Sequence, residues 1–252
     1  MDVTLRAILL TTTLSGVISI SAAAFLSFGL LARMAERMLS LSVGIMLATS
    51  LLHALPEALH GHVPPESLFA TLLAGLLTFF LLEKIAIVRA GPQPGLVLAH
   101  GHHHGHGERS AGMVLLGDAL HNFTDGIMIA AAFLADPSLG ILTGLAIVAH
   151  EIPQEVGDFV VLLNAGYSRC KAYLFNLLCS MMALAGGILG FYTLDKASGL
   201  VPYVLAFASA GFLYVAISHL MPQMQRKTTL AETMPQLGLI AIGVLGVALL
   251  ID

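Results

Sequence analysis

An all-α integral membrane protein with eight transmembrane helices is the fold class this sequence predicts. Three observations carry that expectation. Of the 252 residues, 57% are hydrophobic and only 10% are charged, whereas a soluble domain carries about 25% charged residues. Mean hydropathy is +0.90. Eight separate stretches reach the ~20 mostly apolar residues that a helix needs to cross a bilayer.

The first apolar run, Ala7 to Ala32, is longer than a signal-peptide core, and its stronger positive flank, Arg33 and Arg37, follows it. It is read as a retained helix over about 5–32, although Ser21-Ala22-Ala23-Ala24 resembles a cleavage site. The other helices are expected over about 38–60, 67–88, 111–134, 138–163, 172–194, 199–223 and 233–251. Connections are short except for residues 90–110, a Gly/Pro/His-rich loop that holds His100, His102, His103, His104 and His106. The whole chain, 1–252, is read as one transporter domain.

Positive charge sets the orientation. With both termini extracytoplasmic, Arg33, Arg37, Lys84, Arg89, Arg109, Arg169, Lys171, Arg226 and Lys227 fall on the cytoplasmic side. Only Arg6 and Lys196 fall outside. This places the histidine-rich loop in the cytoplasm. A short chain with no long extracellular domain points to a plasma membrane, that of the bacterial inner membrane. Cys170 adjoins Arg169 and Lys171 on the cytoplasmic side, so no disulfide framework is expected with Cys179. The net charge of -4 says nothing about nucleic acid, but no basic stripe with interleaved aromatics exists, so nucleic acid is not expected as a partner.

An internal echo accompanies this layout. Segment two ends His53-Ala54-Leu55-Pro56-Glu57 and segment seven ends His219-Leu220-Met221-Pro222-Gln223, each a similar interval after a glycine, Gly44 and Gly211. The two segments cross in opposite directions, so the echo fits an inverted repeat, helices 1–3 against 6–8, around a central pair of helices 4 and 5. Chance is the competing account, because Pro and His both favour helix ends.

The chemistry lies in that central pair. Segment four carries His121-Asn122-Phe123-Thr124-Asp125-Gly126 and segment five carries His150-Glu151-Ile152-Pro153-Gln154-Glu155-Val156-Gly157-Asp158. Charged groups at membrane depth cost at least ~2.5 kcal/mol each on insertion scales, so they need a compensating role. Residues three, four and seven apart share a helix face. Asp118, Asn122 and Asp125 therefore form one polar stripe with His121 beside it. His150 and Gln154 share a face, and Glu151, Glu155 and Asp158 form a neighbouring stripe. The linker Ala135 to Pro137 is short, so the two helices are expected as antiparallel neighbours with their clusters at similar depth. Histidine with carboxylate at this spacing suits a divalent transition metal. Interhelical hydrogen bonding alone, or a proton relay without metal, would also use such groups. Pro153 cannot donate to the carbonyl of Ala149, and a carbonyl freed inside a membrane must find another partner.

Weaker candidates surround this core. The 100–106 histidines are read as a cytoplasmic metal contact, against solvated low complexity. His53 and His219 lie near helix ends, and Glu57 after Pro56 is placed at an entrance to the pathway. His60 and His62 are read as solvated.

With these motifs in place, the chain resembles the Zrt/Irt-like protein family, the ZIP metal transporters. His121-Asn122-x-x-Asp125-Gly126 is similar to the family's helix-four signature, and His150-Glu151-x-Pro153-x-Glu155-x-Gly157-Asp158 to its helix-five signature. The eight-helix layout and the histidine-rich loop match as well, so the resemblance covers essentially the whole chain. It implies a metal path between helices two, four, five and seven, from outside toward the cytosol. In one scheme helices one, four, five and six slide against the rest. It assigns a principal site to His121, Asp125, His150 and Gln154, and a neighbouring one to Asn122 and Glu151. Two departures matter. Gln154 stands where the subfamily usually has a second histidine, which leaves iron, cadmium or manganese open beside zinc, because amide oxygen is a harder and weaker ligand than imidazole. No acid lies between Ala172 and Leu194, where some members carry a helix-six glutamate, so one well-formed site is expected.

The resulting expectation is a divalent-metal importer and not an enzyme. Zinc or another divalent ion is the cargo, and no catalytic cofactor is expected. His121, His150, Asp125 and Gln154 hold the ion, and Asp118, Glu155 and Asp158 guide it or orient the histidines. Divalent ions and the lipid bilayer are the partners, and a homodimer is left open. An intramembrane zinc hydrolase is the first alternative, since His150-Glu151-Ile152-Pro153-Gln154 superficially matches His-Glu-x-x-His, but Gln154 replaces the second histidine and Pro153 disturbs the helix. The second is a membrane metal sensor working through the histidine loop.

Overall fold

The structure is a computed structural model that describes residues 2–27, 32–61, 63–90, 107–225 and 229–251. Every regular element among these residues is a helix, with no strand among them. Eight helical rods run through them. They are α1 (Val3–Ser27), α2 (residues 32–60), α3 (Pro65–Ala90), α4 (Gly107–Ala135), α5 (Pro137–Asn164), α6 (Arg169–Leu194), α7 (residues 201–224, after a 3₁₀ turn Ser198–Leu200) and α8 (Leu230–Ile251). Six of them, α1, α2, α3, α6, α7 and α8, are long and apolar enough to cross a membrane. The other two, α4 and α5, carry the buried acids. The histidines of 100–106 and His62 lie outside the described residues.

Lipid rather than water explains the outer surface. Phe69, Leu73, Leu77, Phe80 and Leu81 on α3, and Leu237, Ile242, Leu245 and Leu249 on α8, are all exposed. Such continuous apolar faces are not tolerated on a soluble monomer. Inside the bundle, small residues bring backbones together, as membrane helices require where no hydrophobic force drives association. A Cβ at Gly126 of α4 would stand 1.9 Å from the carbonyl oxygen of Ala183 on α6, and one at Gly186 of α6 would stand 2.0 Å from that of Phe123. A Cβ at Gly44 of α2 would meet the Ile240 oxygen of α8 at 2.3 Å.

The packing divides into two groups. α4 lies on α6 and α5, and α1 on α5 and α6; separately, α2 lies on α8 and α3 on α7. The groups meet chiefly where α2 touches α5 and α7 touches α4.

Two rods are interrupted in the same way. α2 runs Ala32–Ala48, then a π-helical stretch Thr49–Ala54, then Leu55–His60. α7 runs Val201–Tyr214, then π-helical Val215–Leu220, then Met221–Met224. In each, the residue before a proline reaches back five positions. Leu55 N–H donates to Ser50 O ahead of Pro56, and Met221 N–H to Ala216 O ahead of Pro222. A proline has no N–H for the ordinary helical bond, and the wide turn redistributes the acceptors around it. His53 and His219 sit in these π turns.

α4 and α5 are joined through Asp136, whose extended backbone (φ −153°) makes a sharp corner. Its carboxylate accepts from the amides of Ser138 and Leu139 at 2.8 and 3.1 Å, and from the Ser138 hydroxyl. Pro137 follows in the first turn, where a missing N–H costs nothing. The Ser138 and Leu139 bonds hold the Asp136 carboxyl below the usual carboxylate range.

Candidate metal centre

The α4–α5 hairpin brings four side chains to one point. His121 Nε2 lies 3.1 Å from His150 Nε2, 3.8 Å from Asp125 Oδ2 and 3.5 Å from Glu151 Oε1. His150 Nε2 lies 3.4 Å from Asp125 Oδ2 and 3.7 Å from Glu151 Oε1. Zinc bound at about 2.0–2.2 Å by nitrogen and oxygen ligands has tetrahedral ligand-to-ligand edges of about 3.3–3.6 Å. The five distances bracket that interval. Asp125, His150 and Glu151 are buried, whereas His121 is partly open.

The protonation of His150 follows from its other nitrogen. Nδ1 stands 3.0 Å from the carbonyl oxygen of Ala146, one turn earlier on α5. A carbonyl only accepts, so Nδ1 donates to it, and Nε2 of the neutral ring faces the cluster with its lone pair. The ring rests edge-on against Phe212 of α7, with centroids 5.8 Å apart.

Around this cluster lies a second, all-carboxylate group. Asp118, Glu151 and Glu155 each bring an oxygen within 4.8 Å of the others, and Glu151 belongs to both groups. Asn122 Nδ2 and Gln154 Nε2 both donate to Asp118 Oδ1, at 3.0 and 3.2 Å. Ser180 of α6 donates to Glu155 Oε1 at 3.1 Å. Both oxygens of Asp125 and of Glu151, with Asp118 Oδ2 and Glu155 Oε2, are buried and have no hydrogen-bond donor among the described residues. Buried carboxylates in that condition are costly unless a cation compensates them.

The family resemblance implied Gln154 with the histidines and Glu151 with Asn122. In the fold the positions are exchanged. Glu151 stands beside His121 and His150, and Gln154 with Asn122 holds Asp118. Ser180 had no signal in the sequence, being one hydroxyl among many in apolar segments. Asp158 is buried two turns beyond His150 on α5. His53 is buried with its Nδ1 unpartnered among the described residues. Glu57 forms a 3.5 Å pair with exposed His60, a contact worth little at a surface. His219 lies on α7, its side chain outside what is described. Glu83 of α3 accepts from the Tyr214 hydroxyl of α7.

Comparison with known proteins gives this cluster its setting. The family model described as ZIP Zinc transporter matches residues 98–251, more than half of the chain, and includes both ligand-bearing helices. The chain belongs to the ZIP zinc transporter family. It is similar to zinc transporter ZIP13 of Pongo abelii, 31% identical over 224 residues, covering 83% of this chain and 64% of that protein. Zinc transporter ZIP10 of Danio rerio is 43% identical over 114 residues, 45% of this chain and 14% of the relative. Zinc transporter YKE4 of Saccharomyces cerevisiae is 27% identical over 207 residues, 74% and 60% of the two chains. This ZIP-family chain therefore spans less than two thirds of the length of these curated relatives.

Proposed function

We propose that this protein imports zinc toward the cytosol through the α4–α5 hairpin, with His121, Asp125, His150 and Glu151 as the ion's ligands. The observation that carries this reading is the convergence of these four side chains, with five of the six ligand-to-ligand edges at 3.1–3.8 Å and all within 4.8 Å. Two neutral imidazoles and two carboxylates balance a divalent charge and leave the donors of intermediate hardness that zinc accepts. Asp118 and Glu155 take the ion next, since Glu151 reaches both groups and can remain bound during the exchange. Asn122 and Gln154 orient Asp118, and Ser180 orients Glu155. The all-oxygen group also admits iron(II), manganese and cadmium.

The walls differ at the two ends of the site. On the Asp136 side of the site Met128, Ile129, Ala146, Ile147, Phe212 and Met46 form one apolar cluster. Toward the opposite ends of α4 and α5 the lining is Asp118, Gln154, Glu155 and Asp158. With nine of eleven Lys and Arg residues on one face, that polar end is the cytosolic one and both termini are extracytoplasmic. All eight rods then span the membrane. The packing supports the inverted repeat: exchanging α1 with α6, α2 with α7, α3 with α8 and α4 with α5 turns each principal helix contact into another observed one. The paired π turns exchange in the same way.

Uptake into proteoliposomes tests the reading, with zinc, cadmium, iron(II) and manganese run beside a His121→Ala control. Zinc flux that the substitution abolishes is the expected result. Equal flux in both proteins refutes the site, and absence of flux for every metal in folded protein refutes transport.

A further inference from the structure

Pro153 leaves the carbonyl of Ala149 without its usual helical donor, one residue before His150. The structure supplies a substitute from another helix. The Ser42 hydroxyl of α2 donates to Ala149 O. Ser42 is 1% exposed, so water does not compete for either group. The same hydroxyl has a second acceptor, Met38 O of its own helix, at 2.7 Å. A hydroxyl has one proton to donate and serves one acceptor at a time.

We propose that Ser42 is a positioning residue for the metal site. Its hydroxyl caps the carbonyl stranded by Pro153 and so fixes the turn of α5 that carries His150 and Glu151. The inference rests on the metal-site reading above and adds a residue that touches no ion. Three features argue for it. The bond is made at the backbone break and not along a regular stretch of α5. It joins α2 to α5, where the two helix groups meet. Release costs α2 nothing, because Met38 O accepts the proton when α5 withdraws; the price falls on Ala149 alone, which then needs water or another donor.

Cobalt(II) tests this on the purified protein, because its visible absorption reports a tetrahedral ligand field as well as affinity. In Ser42→Ala the turn loosens. Cobalt affinity falls about tenfold, the scale of losing a supporting contact around a metal site, and the absorption bands weaken. Ser42→Thr, which keeps the donor, retains both. In a Pro153→Ala background residue 153 regains its N–H and serves Ala149 O itself, so adding Ser42→Ala changes affinity less than twofold. An equal loss in both backgrounds, or none in either, overturns the proposal. If wild-type protein binds no cobalt, the metal-site reading fails instead. Amide exchange over residues 146–156, which needs no metal, then decides on Ser42: faster exchange in Ser42→Ala and not in the double variant supports it, and equal exchange in all overturns it.

Discussion

Gly126→Ala should disable the site without touching a ligand. The added Cβ would stand 1.9 Å from Ala183 O and 2.7 Å from Gly187 N. Both are backbone atoms of α6 that cannot rotate away. Reaching an ordinary 3.4 Å contact requires α4 and α6 to part locally by about 1.5 Å, the kind of overpacking that costs about 1–3 kcal/mol or more. Asp125 is the adjacent residue. A shift of that size against α5 would take its 3.4 Å edge to His150 out of the ~3.3–3.6 Å range that one ion spans with these ligands. Zinc affinity should fall at least ~100-fold, the upper end of what disturbing a metal site's supports costs. Competition with a chromophoric chelator measures the affinity, and thermal unfolding in detergent measures the stability. Gly117→Ala is the control on the same helix, since its Cβ would meet nothing within 4 Å; there helix propensity predicts a gain of up to about 1 kcal/mol. A Gly126→Ala protein that binds zinc within threefold of wild type and melts at the same temperature would refute the reasoning.

Other outcomes follow from the same geometry. Glu151→Gln keeps the shape and loses the charge at the position common to both groups, so zinc flux into proteoliposomes should drop below a hundredth of wild type. Gln154→Ala removes one of two donors to Asp118, so flux should fall only about three- to tenfold, consistent with one charged hydrogen bond of about 1.5–3 kcal/mol partly covered by Asn122. Equal losses in these two variants would show that Gln154 is a ligand. Asp136→Ala deletes the cap of α5 and should cost about 0.5–2 kcal/mol in denaturant titration. The Asp136 carboxyl is held low by its hydrogen bonds from Ser138 and Leu139, so its contribution is complete above the unfolded carboxylate value near ~3.9 and disappears as pH falls through the lower folded value. The stability gap between wild type and Asp136→Ala should therefore close in strong acid and stay constant from about pH 5 upward.

The helical, membrane-spanning character was legible in composition alone, because an apolar excess with so little charge has few other solutions. The pairing of the two signature motifs was legible in the short linker around Asp136. What spacing could not settle was which acid faces the histidines. His150 and Gln154 are four apart and share a face on an ideal helix, but Pro153 lies between them, and the rotation of α5 against α4 is set by distant contacts. Those include Gly126 against Ala183 on the far side of α4 and Ser42 against the Ala149 carbonyl. The lack of an acid in helix six was plain in the sequence, but the Ser180 hydroxyl of α6 that donates to Glu155 of α5 was not. The π turns of α2 and α7 left only a hint, the matching His-x-x-Pro spacing, since no residue type marks a five-residue back-bond.

Every proposed ligand to the ion comes from a single hairpin, α4 and α5 joined at Asp136. α2 and α7 contribute walls, such as Phe212 against the His150 ring. An ion held in this way keeps to ligands of one hairpin, Asp118 and Glu155 included, when the surroundings change from one side of the membrane to the other. Its affinity is then nearly the same on both faces, and a cargo that binds two states equally favours neither. Such a carrier sets no direction of its own. The gradient supplies it, and the same molecule run against reversed concentrations would empty the compartment it fills.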